Sequence, residues 1–503
     1  MAALRPHRPD ERHGQGLRQA RHRRTAGGTR LRWRGESPRD HAGGVRGGLP
    51  SREGSAAAAE PGVPARARGR RPRGAGGGGG RRDRRRRPAR RGGAGGVLRE
   101  GRPLPGDAVT GRSRPVPRAE RFEAVVAGGG PAGAVAALVL ARAGRHVLLV
   151  DGRPPGAPAG SFTIGETLPP AARPLLDDLG LWAAFAADGH LRCPGTYASW
   201  GSARLHGHSH LLDPHGHGWH LDRDRFDAFL REAAMAAGAL IRRAVVVGHR
   251  RSAGEQHLLV RERSGTVREL RAGWVVDATG RRALIGRRLA RRRRQDRLVA
   301  AFVRLGGAGA GGYPGDPELR TLVEAVPEGW WYTARVPAGR VVAHLTDADL
   351  AAARLRTAEG FRRAASCTRH VGERLSGYDP AASPAPRWTA AHGLRLCPPA
   401  GPGWVAAGDS AIAFDPLSSQ GILTALHTGA RAGRAVDRCL AGDSGALASY
   451  VSFLDGVADA YHRHHARSYA EERRWPAYPF WRRRNGAVPN RRAAGADPVR
   501  GPA

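Results

Sequence analysis

Six residues, Gly128-Gly129-Gly130-Pro131-Ala132-Gly133, carry the spacing from which the chemistry of this chain can be read. They follow an apolar run, Phe122-Glu123-Ala124-Val125-Val126-Ala127, and precede an Ala/Leu/Val-rich stretch from Ala134 to Ala143. A second apolar run, Val147-Leu148-Leu149-Val150, ends in Asp151. Strand, glycine turn, helix and a strand closing on an acid form the pattern that binds the pyrophosphate of a dinucleotide. Gly128 permits the tight turn, Gly130 lets the backbone approach the phosphates, and Gly133 lets helix and strand pack closely. The helix beyond Pro131 and Ala132 offers free N–H groups and partial positive charge to an anion. Asp151 stands 23 residues after Gly128, where a carboxylate accepts hydrogen bonds from both ribose hydroxyls and repels a 2′-phosphate. This pattern does not by itself separate one dinucleotide from another.

The elements that must hold this loop follow from periodicity. Leu221 to Gly238 reads as a helix. Strands are expected at Ala244–His249, His257–Arg263 and Val267–Val276, and sheet character runs from Leu298 to Thr346. Trp404-Val405-Ala406-Ala407 is a late strand and Ile422 to Leu440 a long helix. Alternating strands and helices with a block of strands inserted imply an α/β fold: a Rossmann-like nucleotide domain interrupted by a sheet-rich substrate domain, with a helical C-terminus. The expected division is a basic low-complexity extension at 1–118 and the nucleotide domain in two parts, 119–297 and 396–445. The substrate domain would span 298–395, a helical segment 446–485 and a tail 486–503.

The formal charge of +39 is unevenly spread. Residues 1–118 hold 31 Arg against nine acidic residues, and the other 385 hold 52 against 35. No periodicity persists in 1–118, so disorder is expected there. It reads as an extension ahead of the folded chain, such as an upstream start codon adds in a GC-rich gene. The other reading is a basic arm for nucleic acid, but charge runs bind polyanions without implying a role, so nucleic acid is not the expected partner. All 83 basic residues are Arg, and the chain has no Lys.

The four cysteines are far apart, which argues against a zinc site or a disulfide framework and fits a reducing cytoplasm. No apolar run reaches the roughly 20 residues that span a bilayer, so no membrane partner is expected. His206, His208, His210, His215, His217 and His220 form a dense stretch. Without supporting carboxylate or Cys spacing it reads as an exposed loop, not a metal site. His462, His464 and His465 read as solvated.

Later segments resemble the p-hydroxybenzoate hydroxylase-like flavoproteins. Gly408-Asp409-Ser410-Ala411 followed by Phe414-Asp415-Pro416-Leu417-Ser418-Ser419-Gln420-Gly421 is similar to their second flavin motif. The resemblance implies FAD as cofactor and a Rossmann-like FAD-binding domain. Asp409, after Gly408, would bind the ribityl chain, and Pro416 would lie beside the isoalloxazine. The helix opened by Gly421 would aim its positive end at the flavin edge that becomes anionic on reduction. Asp277-Ala278-Thr279-Gly280 and Arg223-x-x-Phe226-Asp227-x-x-Leu230 are further matches, with Arg223 on the cofactor side.

Within that superfamily, Gly165-Glu166-Thr167-Leu168-Pro169-Pro170 resembles a segment of the tryptophan halogenases. Glu166 is the acid that the resemblance places near the flavin, as a candidate catalytic group. Gly329-Trp330-Trp331-Tyr332-Thr333-Ala334-Arg335-Val336-Pro337 is near their W-x-W-x-I-P segment, but its two Trp are adjacent; both are candidate substrate-cavity residues, the other reading being plain core, since paired aromatics pack cores readily. Halogenases of this type use a Lys to carry hypohalous acid, and Arg, which stays protonated, does not replace it. The double Trp, Gly216–Arg223 and Arg474–Arg483 look most like the flavoproteins encoded beside quinone-cofactor oxidases: the maturation partners of lysine ε-oxidase and glycine oxidase, and the tryptophan hydroxylase of quinohemoprotein amine dehydrogenase biogenesis.

That likeness implies a monooxygenase that hydroxylates an aromatic ring through a flavin C4a-hydroperoxide, the ring being a Trp of a partner protein or a small molecule. No second dinucleotide fingerprint is present, so NAD(P)H binding transiently, or a separate reductase, would supply electrons. A reductase of the geranylgeranyl type is the alternative within flavoenzymes.

Overall fold

The computed structural model describes residues 119–152, 164–306, 316–337, 339–378 and 384–486. The disorder expected for residues 1–118, and for the tail 486–503 apart from Gly486, falls outside them. Among the described residues, the elements around the glycine loop follow the sequence closely. The first strand, Glu120–Ala127, starts two residues before the apolar run, because Glu120 and Arg121 extend its pairing with Leu270 and Arg271. Glu120 is also held by Arg242 at 2.7 Å. The helix Pro131–Arg142 starts three residues earlier than its Ala-rich stretch. Proline fits the first helical turn, where its missing N–H has no intrahelical partner to lose.

Five parallel strands, Trp404–Ala406, Val267–Asp277, Glu120–Ala127, Val147–Val150 and Leu240–Arg242, lie side by side in that order within an eight-stranded sheet. Parallel strands covered on both faces are apolar throughout, and Ala124 to Ala127 and Val147 to Val150 are each at most 1% exposed. The antiparallel pair Ala244–Ser252 and Glu255–Glu262 extends this sheet. Helices Pro131–Arg142, Arg223–Ala236 and Gly421–Leu440 share one apolar core with it. The first and last of these touch backbone to backbone. A Cβ on Gly429 would stand 2.3 Å from the carbonyl oxygen of Ala132, and one on Gly433 2.9 Å from that of Ala136.

A second, seven-stranded sheet runs in the order Arg387–Ala390, Leu298–Leu305, Gly339–Asp347, Gly329–Val336, Thr321–Val326, Gly195–Ser199, His206–Ser209. All its neighbours are antiparallel except Thr321–Val326 with Gly195–Ser199. One face carries Phe302, Trp330, Ala343 and Leu345 and is backed by Tyr469, Phe480 and Trp481. These come from the helix Ala446–Glu471 and the last helix, Pro479–Asn485. Trp481 is fully buried, and its indole N–H donates to the carbonyl of Val326 at 2.9 Å. Arg483 and Arg484 pair with Asp347 at 2.8 and 2.7 Å. The other face packs Trp331, Val342, Phe361 and Val371.

The histidine stretch is not a plain loop. His206–Ser209 is an exposed edge strand, whereas His220 is fully buried and bonded to the Thr321 hydroxyl at 2.9 Å. Among the described residues, no group of three His, Cys, Asp or Glu could hold a metal ion, and no helix is long and apolar enough to cross a membrane.

Burial pushes His220 and His344 each down to about 3, with Arg340 adding to the effect at His220 and Arg354 at His344. An unfolded histidine titrates near 6.5, so the unfolded chain takes these protons first. Their stabilisation is complete above about pH 6.5, and each loses about 1.4 kcal/mol per pH unit on acidification below it. His344 packs against Trp331 with tilted rings and centroids 4.7 Å apart, and its Nδ1 has no hydrogen-bond partner among the described residues. Replacing His344 by Phe is therefore expected to flatten the fall in unfolding free energy between about pH 6 and pH 5 by about 1.4 kcal/mol. Urea titrations at the two pH values check it.

Candidate active site

The glycine loop performs the steric roles that its spacing implies. Gly128 has φ +111°, and a Cβ there would meet the Ala278 carbonyl oxygen at 2.2 Å. A Cβ on Gly133 would lie 1.8 Å from the carbonyl oxygen of Gly128. A Cβ on Gly130 meets nothing within 4 Å, so that side of the loop is open. Gly130, Pro131 and Ala132 border a cavity of about 540 Å³. Gly128 and Gly133 do not border it; they set the packing that shapes the loop.

Asp151 is 1% exposed and stands against the loop, so that a Cβ on Gly129 would meet its carboxyl carbon at 2.5 Å. It is paired with Arg243 and, at 3.6 Å, with Arg231, and it does not border the cavity. Its expected meeting with ribose thus acquires two arginine neighbours that the spacing alone did not reveal.

The cavity continues past Gly408 and Asp409 to Pro416 and Gly421. Arg281 binds this stretch together: its Nε lies 3.4 Å from the Asp409 carboxylate, and its guanidinium donates to the carbonyls of His392 and Phe414. Asp277 is the hub behind it. One of its oxygens accepts from the backbone and hydroxyl of Thr279 and the hydroxyl of Ser410. The other accepts from the N–H groups of Ile285 and Gly286 at 2.9 and 2.7 Å. The helix Gly421–Leu440 begins at the cavity wall, so two helix N-termini, of 12 and 20 residues, open on the same space.

Asp415, next to Pro416, is 1% exposed and accepts from Tyr469 at 2.8 Å, with His465 3.2 Å away. His465 is thus a partner of this loop, not a merely solvated residue. Arg223 lines the cavity, donates to the Gly165 carbonyl at 2.6 Å and pairs with Asp227 at 3.3 Å.

The opposite wall is largely apolar: Ala300, Phe302, Trp330, Ala343 and Leu345. Trp331 is not part of it. Successive strand residues point to opposite faces, so Trp330 and Tyr332 face the cavity while Trp331 packs against Phe361 and His344 in the core beyond. The expectation that both Trp line the cavity is corrected on this ground. Trp330 donates its N–H to Tyr469 at 3.2 Å.

Tyr332 was not singled out by sequence, and it is the polar feature of this wall. It donates to Glu166 and lies 3.0 Å from the Thr167 hydroxyl. Glu166 is fully buried behind it and also accepts from the Gly165 N–H at 2.8 Å. Burial raises the Glu166 carboxyl above its ordinary value, against the lowering effect of those hydrogen bonds and of Arg223. Burial also raises the Tyr332 phenol well above its ordinary value, with the Glu166 charge adding to the effect.

These residues fit FAD. Open backbone at Gly130 and a free helix end suit the pyrophosphate, Asp409 the ribityl chain, and Pro416 with the second helix end the ring system. Residues 121–304 match the family described as FAD binding domain. The match and the relatives define the class: the chain carries an FAD-binding domain, and the protein is an FAD-dependent oxidoreductase, an enzyme.

Its relatives include LodB of Marinomonas mediterranea, assigned as an FAD-dependent oxidoreductase. That protein is 27% identical over 381 residues, which cover 73% of this chain and 97% of LodB. The tryptophan 2-halogenase of Chondromyces crocatus is 27% identical over 344 residues, covering 63% of this chain and 62% of the halogenase. Among solved structures, the myxobacterial chondrochloren halogenase CndH has the same fold, with a TM-score of 0.66 at 21% identity over 74% of this chain and 87% of its own. The peptidyl tryptophan dihydroxylase QhpG, essential for tryptophylquinone cofactor biogenesis, superposes with a TM-score of 0.60 at 23% identity over 75% of this chain and 81% of its own.

Proposed function

We propose that the protein is an FAD-dependent monooxygenase that hydroxylates an aromatic ring, the ring being a Trp side chain of a partner protein during maturation of a quinone cofactor. The observation that carries this reading is the wall of Phe302, Trp330, Ala343 and Leu345 facing the flavin-binding residues across one cavity. Such a wall accepts a flat apolar ring and excludes water from it. The lack of any Lys speaks against the halogenase route, and the likeness to QhpG supports a peptide-borne Trp.

FAD, when bound, supplies redox chemistry with O2 that side chains lack. Gly130 and the helix behind it would hold the pyrophosphate, Asp409 the ribityl chain under the control of Arg281, and Gly421 the ring edge. Asp151 would receive the ribose, and Arg223 would fix the Gly165 turn over the cofactor. Electrons would come from NAD(P)H or from a separate reductase.

The purified protein is expected to be yellow, or to become so with FAD. With a reductant and a Trp-containing peptide it should consume O2 and add oxygen to the peptide, seen by mass spectrometry. A protein that never takes up flavin would overturn the reading, and turnover without O2 would move it to a reductase.

A further inference from the structure

We propose that Tyr332 is the specificity-determining residue of the cavity: its phenol oxygen accepts the hydrogen bond of a ring N–H or O–H, and Glu166 is the positioning residue that orients it. The proposal rests on the aromatic-substrate reading above and goes beyond it, by naming the group that selects which aromatic rings bind.

The geometry carries the argument. Tyr332, Thr167 and Glu166 all border the cavity, but Tyr332 and Thr167 are half-buried whereas Glu166 has no exposed surface. Glu166 therefore acts on a substrate through Tyr332, which donates its hydrogen bond to it. One carboxyl oxygen takes the Tyr332 proton and the other takes the Gly165 N–H. With its proton committed inward, the phenol offers only lone pairs to the cavity. A donor polarised by a carboxylate is also a better acceptor at its own oxygen, because chained hydrogen bonds strengthen one another. Trp330, two residues earlier on the same face, is 1% exposed and has its N–H committed to Tyr469, so it backs the apolar wall and adds no free donor. The strand thus sets an acceptor beside an apolar wall. A ring carrying N–H or O–H satisfies both. The Thr167 hydroxyl, 3.0 Å away, takes one lone pair of the Tyr332 oxygen, and a ring lacking the donor leaves the other without a partner beside an apolar wall, which is costly.

An indole fits this pattern. Accepting its N–H hydrogen bond also pushes electron density into the ring, which favours attack on electrophilic oxygen.

The test uses the FAD-loaded enzyme titrated with N-acetyltryptophanamide and with its indole N-methylated analogue, each followed by the perturbation of the flavin spectrum. The wild type is expected to bind the N–H probe about tenfold more tightly, the equivalent of about 1.4 kcal/mol for one hydrogen bond. In flavin-loaded Tyr332→Phe the ratio should collapse toward one. In Glu166→Gln, whose amide oxygen still accepts from Tyr332, it should stay above one. A wild-type ratio near one overturns the proposal, and so does failure of the N–H probe to bind. A preference that persists in Tyr332→Phe is steric and overturns it too. Failure to take up FAD in the first place would instead sink the proposed function.

Discussion

A Gly133→Ala substitution is expected to weaken flavin binding by about 10- to 100-fold. The added methyl would lie 1.8 Å from the Gly128 carbonyl oxygen, well inside van der Waals contact. The nearest neighbour is backbone, so no side chain can swing aside; the helix and the turn must part by more than an ångström. Overpacking of this kind costs about 1–3 kcal/mol, and each 1.4 kcal/mol is about tenfold in affinity. Gly128 is then displaced, and with it the open face at Gly130. Equilibrium titration with FAD, read by quenching of flavin fluorescence, gives the affinity. Wild-type affinity in the variant would show that loop and helix are not as tightly coupled as the packing implies. Gly144 is the matched control: its φ is +75°, but a Cβ there meets nothing within 4 Å, so Gly144→Asn should leave flavin affinity unchanged.

The second large effect concerns stability. Arg340 is fully buried in the seven-stranded sheet. It pairs with Asp316 at 2.6 Å, donates to the Thr333 hydroxyl at 3.2 Å and to the Glu318 carbonyl at 2.9 Å. Asp316 also accepts from Tyr378 at 2.7 Å. Burial would raise the Asp316 carboxyl, but the Tyr378 hydrogen bond and the Arg340 charge together bring it below its ordinary value. Removing one member of a buried pair leaves the other charged and unpaired, a loss of about 3–5 kcal/mol. Arg340→Met is expected to lose that much in chemical denaturation at neutral pH. The loss should shrink in acid, where the stranded carboxyl becomes protonated. An Asp316→Asn/Arg340→Met double variant should recover part of it, since no carboxylate is then left alone.

What the sequence made legible follows the reach of each signal. The glycine loop, its helix and the strand Val147–Val150 were readable because the residue pattern that marks them is contiguous in sequence, although their packing partners such as Ala278 and Gly429 lie far along the chain. The Phe414–Gly421 stretch was readable by resemblance, and the structure brings it to the same cavity as Gly130. Tyr332 with Glu166, and Asp415 with His465 and Tyr469, join residues 166 and 50 or more positions apart. No local pattern announces such pairs; they depend on how the two sheets meet. The Trp pair is different. Adjacent residues on a strand cannot face the same way, so alternation alone could have assigned one Trp to the cavity and the other to the core. The arginines on Asp151 come from Arg231 and Arg243, one on a helix and one just after a strand, and their convergence was hidden by an Arg content that makes any single Arg uninformative.

The burial of Trp481 and Phe480 beneath the cavity-bearing sheet sets an order of events during synthesis. Strands as early as Gly195–Ser199 leave the ribosome long before residue 481, yet the apolar layer under Phe302 and Trp330 lacks its base until then. Contacts so distant in sequence close late. Until they do, the nascent sheet exposes an apolar face to whatever is nearby, and a holding chaperone is a natural match for that face. The nucleotide-binding strands around Gly128 face no such wait for their first pairings, because Val147–Val150 follows within a few tens of residues. The half that grips the cofactor can therefore begin to form while the half that chooses the substrate is still waiting for the last helix.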